Sequence, residues 1–329
     1  MKKIISCISL IALTFSTMLV GACTPRDNLV RVNEVTHSVF YAPFYIAIEN
    51  GYFEEVGIEI ELTNGGGSDA SMTALISGGA DIGLMGPETS VYVYNEGRQD
   101  YAIIFGQLTR KDGSFLVGRE PIENFSWSML ENKEIIGGRK GGSPAMALEY
   151  ALKKNNLIDK SNVTINYDVK YDLITAAFEG GTGDFCTMFE PAASNFQAQG
   201  KGYIIASVGE ESGDMPFTCF MATKSYLNAN SQKVQNFLSA IQKGMDFLWQ
   251  NNAVVVANAI KNQFADTSVE MLSDAIQNYK NINAYMTNPY MKEEDFEHLQ
   301  DVIIDAGVMT KRASYSHIVD NSFALNLLG

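Results

Sequence analysis

The chain has 329 residues, of which 46% are hydrophobic and 19% are charged, and its formal net charge is −14. An acidic balance argues against nucleic acid as a partner and against charge-driven binding to an anionic membrane. The length allows two lobes with separate hydrophobic cores. Cys186 and Cys219 lie in the body of the chain and predict a buried pair of thiols, with a disulfide between them as the open alternative.

The N-terminus has the pattern of a bacterial lipoprotein signal. Lys2 and Lys3 precede an apolar run over residues 4–20, and Val20-Gly21-Ala22-Cys23 then resembles a lipobox, in which the chain is cut before the cysteine and its sulfur is lipidated. A single transmembrane anchor is the weaker alternative, because the run contains five Ser and Thr residues and leads straight into a cysteine.

This pattern predicts a signal peptide over 1–22, a diacylglyceryl group on Cys23 and a tether over 23–29. The removed segment holds two lysines and no acidic residue, so the mature chain has a net charge of −16. Acyl chains, not a basic patch, would hold an extracytoplasmic protein at the bacterial cell membrane.

The next stretch of chain alternates strand and helix patterns. Strands are predicted at 29–35, 56–62, 81–85 and 101–105, and helices at 43–50, 68–77 and 87–95. Gly65, Gly66 and Gly67 form a turn before the second helix, where Ser68 can act as N-cap. This turn is not a nucleotide P-loop, because no Gly-Lys-Ser/Thr follows it.

A second α/β series follows residues 108–118, which have no clear period and predict a crossing between lobes. Strands are predicted at 135–136, 163–169, 184–188 and 203–208, and helices at 145–155 and 172–178. The chain crosses back over 213–220 and continues as helices from 231, including 252–263, 267–279 and 293–306. This organisation predicts one lobe over 30–110 and 216–329, with a second lobe over 111–215 inserted in it.

Two segments of the chain repeat one unit. In 74–88 and in 177–191, a helix end and a glycine turn lead to an Asp, Asp81 or Asp184, that opens a short buried strand, and a Pro/Glu pair then starts the next helix. The repeat predicts two similar lobes that face each other across a cleft, with ligand beyond the carboxyl ends of the strands. The alternative is that any two strand-to-helix turns look alike.

Several motifs together resemble the substrate-binding proteins of the sulfonate, taurine, nitrate and thiamine-pyrimidine-precursor ABC importers, which form one family. The motifs are Tyr41-Ala42-Pro43-Phe44-Tyr45-Ile46-Ala47, Glu49-Asn50-Gly51-Tyr52-Phe53, Gly57-Ile58, Gly78-Gly79-Ala80-Asp81-Ile82-Gly83 and Phe189-Glu190-Pro191. The resemblance implies an α/β, two-lobed periplasmic-binding-protein-like fold of type II, with a ligand cleft between the lobes and a helical C-terminal part. It also implies a monomer that delivers a small molecule to an ABC permease and its ATPase.

The resemblance places ligand contacts between the first strand and the first helix, at His37, Phe40 and Tyr41. Phe40 and Tyr41 would give the site an aromatic wall, or else pack the core of the lobe. His37 is a lone histidine, which is more typical of a hydrogen-bonding residue than of a metal ligand. The sequence shows no metal-binding spacing, and we expect neither a metal nor a cofactor.

Helix starts supply the other candidate residues. Gly141, Gly142 and Ser143 open a helix whose free N–H groups and dipole favour an anionic group; the alternative is that Ser143 is only the N-cap, with Pro144 at the first helical position. Glu88 and Glu190 would place one carboxylate in the cleft from each lobe, or would only complement the dipole of their own helices.

Glu190 favours a particular ligand class, since a carboxylate accepts paired hydrogen bonds from an amino-pyrimidine edge and repels an anion. We therefore expect a thiamine pyrimidine precursor. A sulfonate, taurine or nitrate ligand remains the alternative, for which Arg110, Lys111 and Arg139 are the candidate partners unless they are surface charges.

The competing class is an enzyme, because eukaryotic relatives of the family synthesise a pyrimidine. Those relatives carry a Cys-Cys-Cys-Phe-Cys motif that this chain lacks, and no Gly-x-Ser-x-Gly elbow or zinc pattern occurs here. A sensor lipoprotein without a permease would use the same cleft. We expect a binding protein, with no catalytic residues, whose lobes close over the ligand as the two crossings flex.

Overall fold

A computed structural model describes residues 28–170 and 173–329. The predicted signal peptide, Cys23, most of the tether and the first residue of the helix predicted at 172–178 lie outside these residues. Across the described residues, no helix has both the length and the apolar character that a membrane span requires.

The described part of the chain forms ten strands. They are β1 Leu29–Glu34, β2 Glu59–Asn64, β3 Ile82–Met85, β4 Ala102–Thr109, β5 Phe115–Gly118, β6 Glu134–Ile136, β7 Thr164–Asn166, β8 Phe185–Met188, β9 Tyr203–Ser207 and β10 Thr218–Thr223.

Helices cover both sheets and make up the C-terminal part. They are α1 Ala42–Glu49, α2 Tyr52–Glu55, α3 Ser68–Ile76, α4 Glu88–Asn95, α5 Ser143–Lys154, α6 Ile174–Glu179, α7 Ala192–Ala198, α8 Val208–Ser212, α9 Lys224–Ala229, α10 Ser231–Gln250, α11 Ala253–Ala259, α12 Val269–Asn281, α13 Glu293–Asp305, α14 Tyr315–Ile318 and α15 Ser322–Leu328. Short 3₁₀ turns lie at Val39–Tyr41, Trp127–Leu130 and Lys261–Phe264.

The strands form two five-stranded sheets with the same arrangement. The first sheet has the order β2-β1-β3-β10-β4 and the second has the order β7-β6-β8-β5-β9. In each, the first three strands are parallel and the fourth, β10 or β5, is antiparallel to the third. We call each sheet with the helices on it a lobe; the fourth strand of each lobe is the first strand after a crossing.

The crossings are shorter than the sequence predicts. The stretch predicted as the first crossing, 108–118, contains the end of β4 and all of β5, so only 110–114 connects the lobes. The stretch predicted as the return, 213–220, contains the start of β10. Both predicted crossings are therefore too long. For the first crossing the reason is that the four residues of β5 are all buried, and so short a buried run shows no alternation of apolar and polar residues.

The two crossings run side by side. The N–H of Met215 donates to the carbonyl of Arg110 over 2.9 Å. The carboxylate of Asp214 forms ion pairs with Arg110 and, at 2.9 Å, with Lys111. Burial alone would raise the pKa of Asp214, but Lys111 and Arg110 outweigh it and hold that pKa below its usual range. A charged hydrogen-bonded strap therefore joins the two connections between the lobes.

Several predicted boundaries shift by a few residues. β2 begins at Glu59 and not at 56, because Gly57 adopts a φ of 75° in the turn after α2. β7 covers only three of the seven residues predicted at 163–169. Ser68 is the first residue of α3, with Gly67 as N-cap, so the predicted cap role of Ser68 is wrong.

The C-terminal helices pack against both lobes. The stripe of α10 that includes Val234, Phe237 and Leu248 is buried, as the helical spacing predicts. At Gly244 a Cβ would lie 2.1 Å from the carbonyl oxygen of Pro43, so glycine allows α10 to approach α1. α12 contacts α7 and α13 contacts α5, both on the second sheet. The tail thus bridges the lobes.

The two cysteines of the body lie in different sheets. Cys186 is on β8 and Cys219 is on β10, and both are buried, free thiols. Burial raises the pKa of each thiol well above its usual range. The predicted pair of thiols is what the structure contains, and the alternative disulfide is absent from the described residues.

Candidate functional site

The candidate site lies where the strands of the two sheets end. The segments after β1 and β3 belong to the first lobe, and those after β6 and β8 belong to the second. Each leads into a helix or a 3₁₀ turn, so polar side chains and free N–H groups collect at these ends. All eight ligand-binding residues predicted from the sequence lie on these four segments.

Phe40 lies in an aromatic cluster that joins the lobes. The 3₁₀ turn that carries it is capped by the hydroxyl of Ser38, which accepts from the Phe40 N–H over 3.2 Å. The Phe40 ring is buried and lies 4.7 Å from Tyr279 and 5.9 Å from Phe189, centroid to centroid. In this conformation Phe40 is therefore packed in the core, which is the alternative to an aromatic wall of the ligand site.

Tyr41 is buried beside Phe40. Burial raises the pKa of its phenol above its usual range, and the Thr218 hydroxyl partly opposes this shift. Tyr41 is near enough to Glu88 for that carboxylate to add to the shift. Its phenol is therefore a neutral neighbour of Glu88.

His37 is tied into the first lobe. Its Nδ1 lies 2.8 Å from Glu34 Oε1, and its Nε2 lies 2.9 Å from the carbonyl oxygen of Gln263. Because both ring nitrogens face acceptors, the doubly protonated ring satisfies both, and the hydrogen bond to Glu34 raises the pKa of His37. Tyr45 donates to the other oxygen of Glu34 over 2.6 Å. This is the hydrogen-bonding role expected of a lone histidine.

Glu88 and Ser143 face each other across the two lobes. They are the first residues of α4 and α5, and their exposed fractions are only 4% and 8%. The Ser143 hydroxyl is close enough to lower the pKa of Glu88, yet neither Glu88 Oε2 nor Ser143 Oγ makes a well-formed hydrogen bond to any residue within 28–170 and 173–329. Burial is the largest effect and raises the pKa of Glu88 to about 7.

The glycines before Ser143 shape the start of α5. Gly141 has a φ of 78°, which favours glycine, and Gly142 is the N-cap of the helix. Ser143 is therefore the first helical residue and makes no capping bond, so the predicted alternative of an N-cap serine is wrong. Its buried hydroxyl lies near Glu88 instead.

Glu190 has its acceptors occupied within the protein. It is buried, with an exposed fraction of 2%. Ser194 donates to it through its N–H over 2.9 Å and through its hydroxyl over 2.7 Å, and Asn278 of α12 donates over 2.6 Å. The N–H of Glu190 meets the hydroxyl of Tyr279 at 2.9 Å. In this conformation Glu190 therefore has a structural role at the start of its own helix, which is the alternative to a contact with the ligand.

The cations considered as anion partners are all paired with carboxylates. Arg110 and Lys111 bind Asp214, and Arg139 binds Asp69 at 2.6 Å. The Arg139 side chain is 75% exposed and lies on the second lobe, whereas Asp69 is on α3 of the first. Arg139 matches the surface-charge alternative, although its ion pair closes across the cleft. Arg110 and Lys111 do not match it, because both side chains are largely buried in the strap between the lobes.

Two groups near the site were not anticipated from the sequence. Asp112, in the first crossing, is fully buried; Ser114 donates to its Oδ1, while its Oδ2 has no hydrogen-bond partner among the described residues. Burial raises the pKa of Asp112 to about 7. Asn278 and Tyr279 reach Glu190 from far along the chain. No local pattern marks either group, since Asp112 stands in the polar run Arg110-Lys111-Asp112-Gly113-Ser114.

The arrangement brings two helix N-termini, a buried carboxyl and a hydroxyl together between the lobes. Within the described residues, no group of three or more His, Cys, Asp or Glu side chains could hold a metal ion. The groups at these helix starts can make hydrogen bonds and electrostatic interactions, and aromatic side chains lie nearby.

Comparison with known proteins fits this architecture. The model of the family described as NMT1/THI5 like matches residues 39–253. The chain belongs to this family. A protein of Bacillus subtilis (strain 168), named "Putative binding protein YtlA", is 39% identical over 321 residues, which cover 97% of this chain and 95% of that protein.

Solved structures of two transport-related binding proteins have the same fold. The alkanesulfonate-binding protein SsuA from Xanthomonas axonopodis pv. citri, bound to MOPS, has a TM-score of 0.71 at 16% identity, over 90% of this chain and 99% of that chain. The nitrate-binding protein NrtA from Synechocystis PCC 6803 has a TM-score of 0.66 at 14% identity, over 91% and 88%. The two-lobed periplasmic-binding-protein fold and the family resemblance predicted from the sequence are confirmed.

Proposed function

We propose that this protein is the extracytoplasmic solute-binding component of an ABC importer, which captures a small organic molecule between its lobes and delivers it to a permease and its ATPase. The observation that carries the proposal is the pair formed by Glu88 and Ser143. They come from different sheets, lie at the starts of two helices and are buried together without well-formed partners of their own among the described residues. Buried polar groups are normally satisfied, so this pair favours a ligand between the lobes.

Capture proceeds by closure of two lobes, 30–110 with 216–329 and 111–215. The crossings at 110–114 and 213–217 are the places where the chain can bend, because within the described residues the backbone passes from one sheet to the other only there and through α8. The contacts that mark the closed form are Phe40 against Phe189 and Arg139 against Asp69. The closed form is the shape that a permease would recognise.

The ligand we favour is a small heteroaromatic with an amino group, such as a thiamine pyrimidine precursor. A buried carboxyl accepts from an amino-pyrimidine edge, and aromatic side chains lie near it. In this conformation that carboxyl is the one of Glu88, since the oxygens of Glu190 are bonded to Ser194 and Asn278.

An alkanesulfonate, taurine or nitrate is the second candidate. The N-terminus of α5, with Gly141 and Gly142 before it, is suited to an anion. The SsuA structure with the same fold is bound to MOPS, which is itself a sulfonate. The paired state of Arg110, Lys111 and Arg139 weighs against this candidate.

The remaining parts of the proposal concern where the protein works. We propose a monomer held at the cell membrane by lipid on Cys23, with no enzymatic reaction. Radiolabelled fatty acid should label the full chain and should not label Cys23→Ala. Labelling of both proteins would contradict lipidation at this residue.

A thermal-shift panel tests ligand capture. The soluble form that begins after Cys23 is mixed with hydroxymethyl- and formylamino-pyrimidines, taurine, alkanesulfonates, nitrate and riboflavin. A ligand at about a hundred times its Kd adds roughly 2.7 kcal/mol, which is several degrees for a protein of this size. Small-angle scattering with the active compound should show a smaller radius of gyration. An unchanged radius would contradict closure, and no shift with any compound would contradict capture of these ligands.

A further inference from the structure

The Glu88 carboxyl is unusual because it is buried between the lobes and forms no ion pair with any described residue. Its side chain folds back over Gly86, where a Cβ would lie 2.2 Å from Glu88 Oε2. The same oxygen makes no well-formed hydrogen bond to the part of the chain that the structure describes. A buried carboxyl that lacks a partner lowers stability, and such a group is kept where it has a task in binding.

The groups that shift the pKa of Glu88 include no positive charge among the described residues. Asp69 of α3 repels the charged form, whereas the Ser143 hydroxyl of α5 and the N–H of Glu88 itself favour it. Tyr41, Tyr92 and Cys219 are neutral at ordinary pH, since burial raises the pKa of each above its usual range. The guanidinium of Arg139 is bound to Asp69.

We infer that Glu88 and Ser143 form a subsite for a protonated nitrogen group of the ligand, an ammonium or an amidinium, and that binding this group releases a proton from Glu88. The inference rests on the proposed capture of a ligand in this cleft and names the chemistry of that ligand. It identifies Glu88, in place of Glu190, as the residue that determines specificity.

The proton balance is simple. Before binding, the carboxyl of Glu88 carries a proton in part of the molecules at neutral pH, because burial raises its pKa to about 7. A cationic N–H group donates to Glu88 Oε2, the carboxyl O–H bond breaks, and the proton leaves to solvent. Ser143 Oγ accepts from a second N–H of the same group. An anionic ligand would have the opposite effect, because it favours protonated Glu88 and takes up a proton.

The sign of the proton exchange therefore tests the inference. Binding is measured by calorimetry in two buffers that differ in ionisation enthalpy, with acetamidine, benzylamine and hydroxymethyl-aminopyrimidine as cationic or protonatable probes and with ethanesulfonate and nitrate as anionic probes. For a cationic probe we expect release of up to one proton, and a Kd that falls by about tenfold in total between about pH 6 and pH 8, mostly below pH 7.

Two variants separate Glu88 from its surroundings. Glu88→Gln should abolish the proton release and weaken the cationic probe at least tenfold. Glu293→Gln is the matched control, because Glu293 is also the first residue of a helix, α13, but is exposed. It should leave both quantities unchanged. Proton release that persists in Glu88→Gln would overturn the role of Glu88.

A second measurement needs no ligand. When folding raises the pKa of a carboxyl, the folded state becomes less stable as the pH rises through that pKa. Wild type should therefore lose melting temperature relative to Glu88→Gln between about pH 5 and pH 8. If the melting temperatures of wild type and Glu88→Gln change with pH in parallel, the inference is overturned, whatever the calorimetry shows.

The outcomes also separate this inference from the proposed function. Binding of only ethanesulfonate or nitrate, with proton uptake, overturns the cationic subsite and leaves ligand capture standing. Failure of every cationic probe to bind overturns the inference. If the anionic probes fail too, the proposed function loses its support as well.

Discussion

Asp81 and Asp184 make the same pair of backbone contacts in the two sheets. The N–H of Asp81 donates to the carbonyl of Arg31 over 2.8 Å, and its carboxylate accepts from the N–H of Arg31 over 2.9 Å. Asp184 repeats both contacts, at 2.8 Å and 2.9 Å, with Glu134. In each lobe the aspartate after the glycine turn thus fixes the start of the central strand against its neighbour, which is why one sequence unit occurs twice.

The two aspartates should differ in what they contribute to stability. Asp81 also forms an ion pair with the Arg31 guanidinium at 2.7 Å, whereas Asp184 is exposed and has a backbone partner. Asp184→Asn keeps one acceptor oxygen and should cost less than about 0.5 kcal/mol, while Asp81→Asn should cost about 1 kcal/mol more. Urea unfolding measures both. Equal losses would show that the backbone contact, and not the ion pair, carries the effect.

Glu190→Gln should affect stability more than ligand binding. The amide that replaces one carboxylate oxygen cannot accept from Ser194 or Asn278, so a buried donor is left unpaired at a cost of about 1–3 kcal/mol. Chemical denaturation should show this loss, and the exposed Glu131→Gln should not. A Glu190→Gln protein that is as stable as wild type but binds the ligand more weakly would show instead that Glu190 contacts the ligand.

The ion pair between Arg139 and Asp69 should favour closure. It joins the lobes at 2.6 Å, but both side chains are exposed, so its contribution is at most about 1 kcal/mol. Arg139→Glu places two acids together and should raise the Kd of the bound ligand about fivefold. The double variant Arg139→Glu, Asp69→Arg should restore it.

An exposed ion pair within one lobe provides the control for closure. Lys201 and Glu179 lie 2.8 Å apart, both on the second lobe. Lys201→Glu should leave the Kd and the radius of gyration in scattering unchanged. An equal effect of Lys201→Glu and Arg139→Glu would mean that overall charge, and not closure, governs binding.

The contact between His37 and Glu34 should make stability depend on pH. The hydrogen bond to Glu34 raises the pKa of His37 in the folded state. Its contribution is therefore complete below the unfolded pKa of about 6.5 and is lost as the pH rises through the higher folded value. The melting temperature of His37→Gln should fall further below that of wild type at about pH 5.5 than at about pH 8.5. His317→Gln, at an exposed histidine, should show no such difference.

The local sequence was sufficient for most elements but not for the connections between them. Alternation in 29–35 and the stripe in α10 predict β1 and a packed helix because one face of each must be buried. β5 was missed since all four of its residues are buried and show no alternation. Its place as the fourth strand of the second sheet depends on β8 and β9, which come much later in the chain.

The sequence alone determined the family, the repeated unit and the ends of strands where Glu88, Ser143 and Glu190 lie, because turn residues and strand patterns act over a few neighbouring positions. Only the tertiary structure decided which carboxyl is available to a ligand. Asn278, 88 residues along the chain, donates to Glu190, whereas Glu88 is buried opposite Ser143 with an oxygen that no described residue satisfies. Hydrogen-bond satisfaction depends on which distant groups are brought together, and that is set by packing of the whole chain.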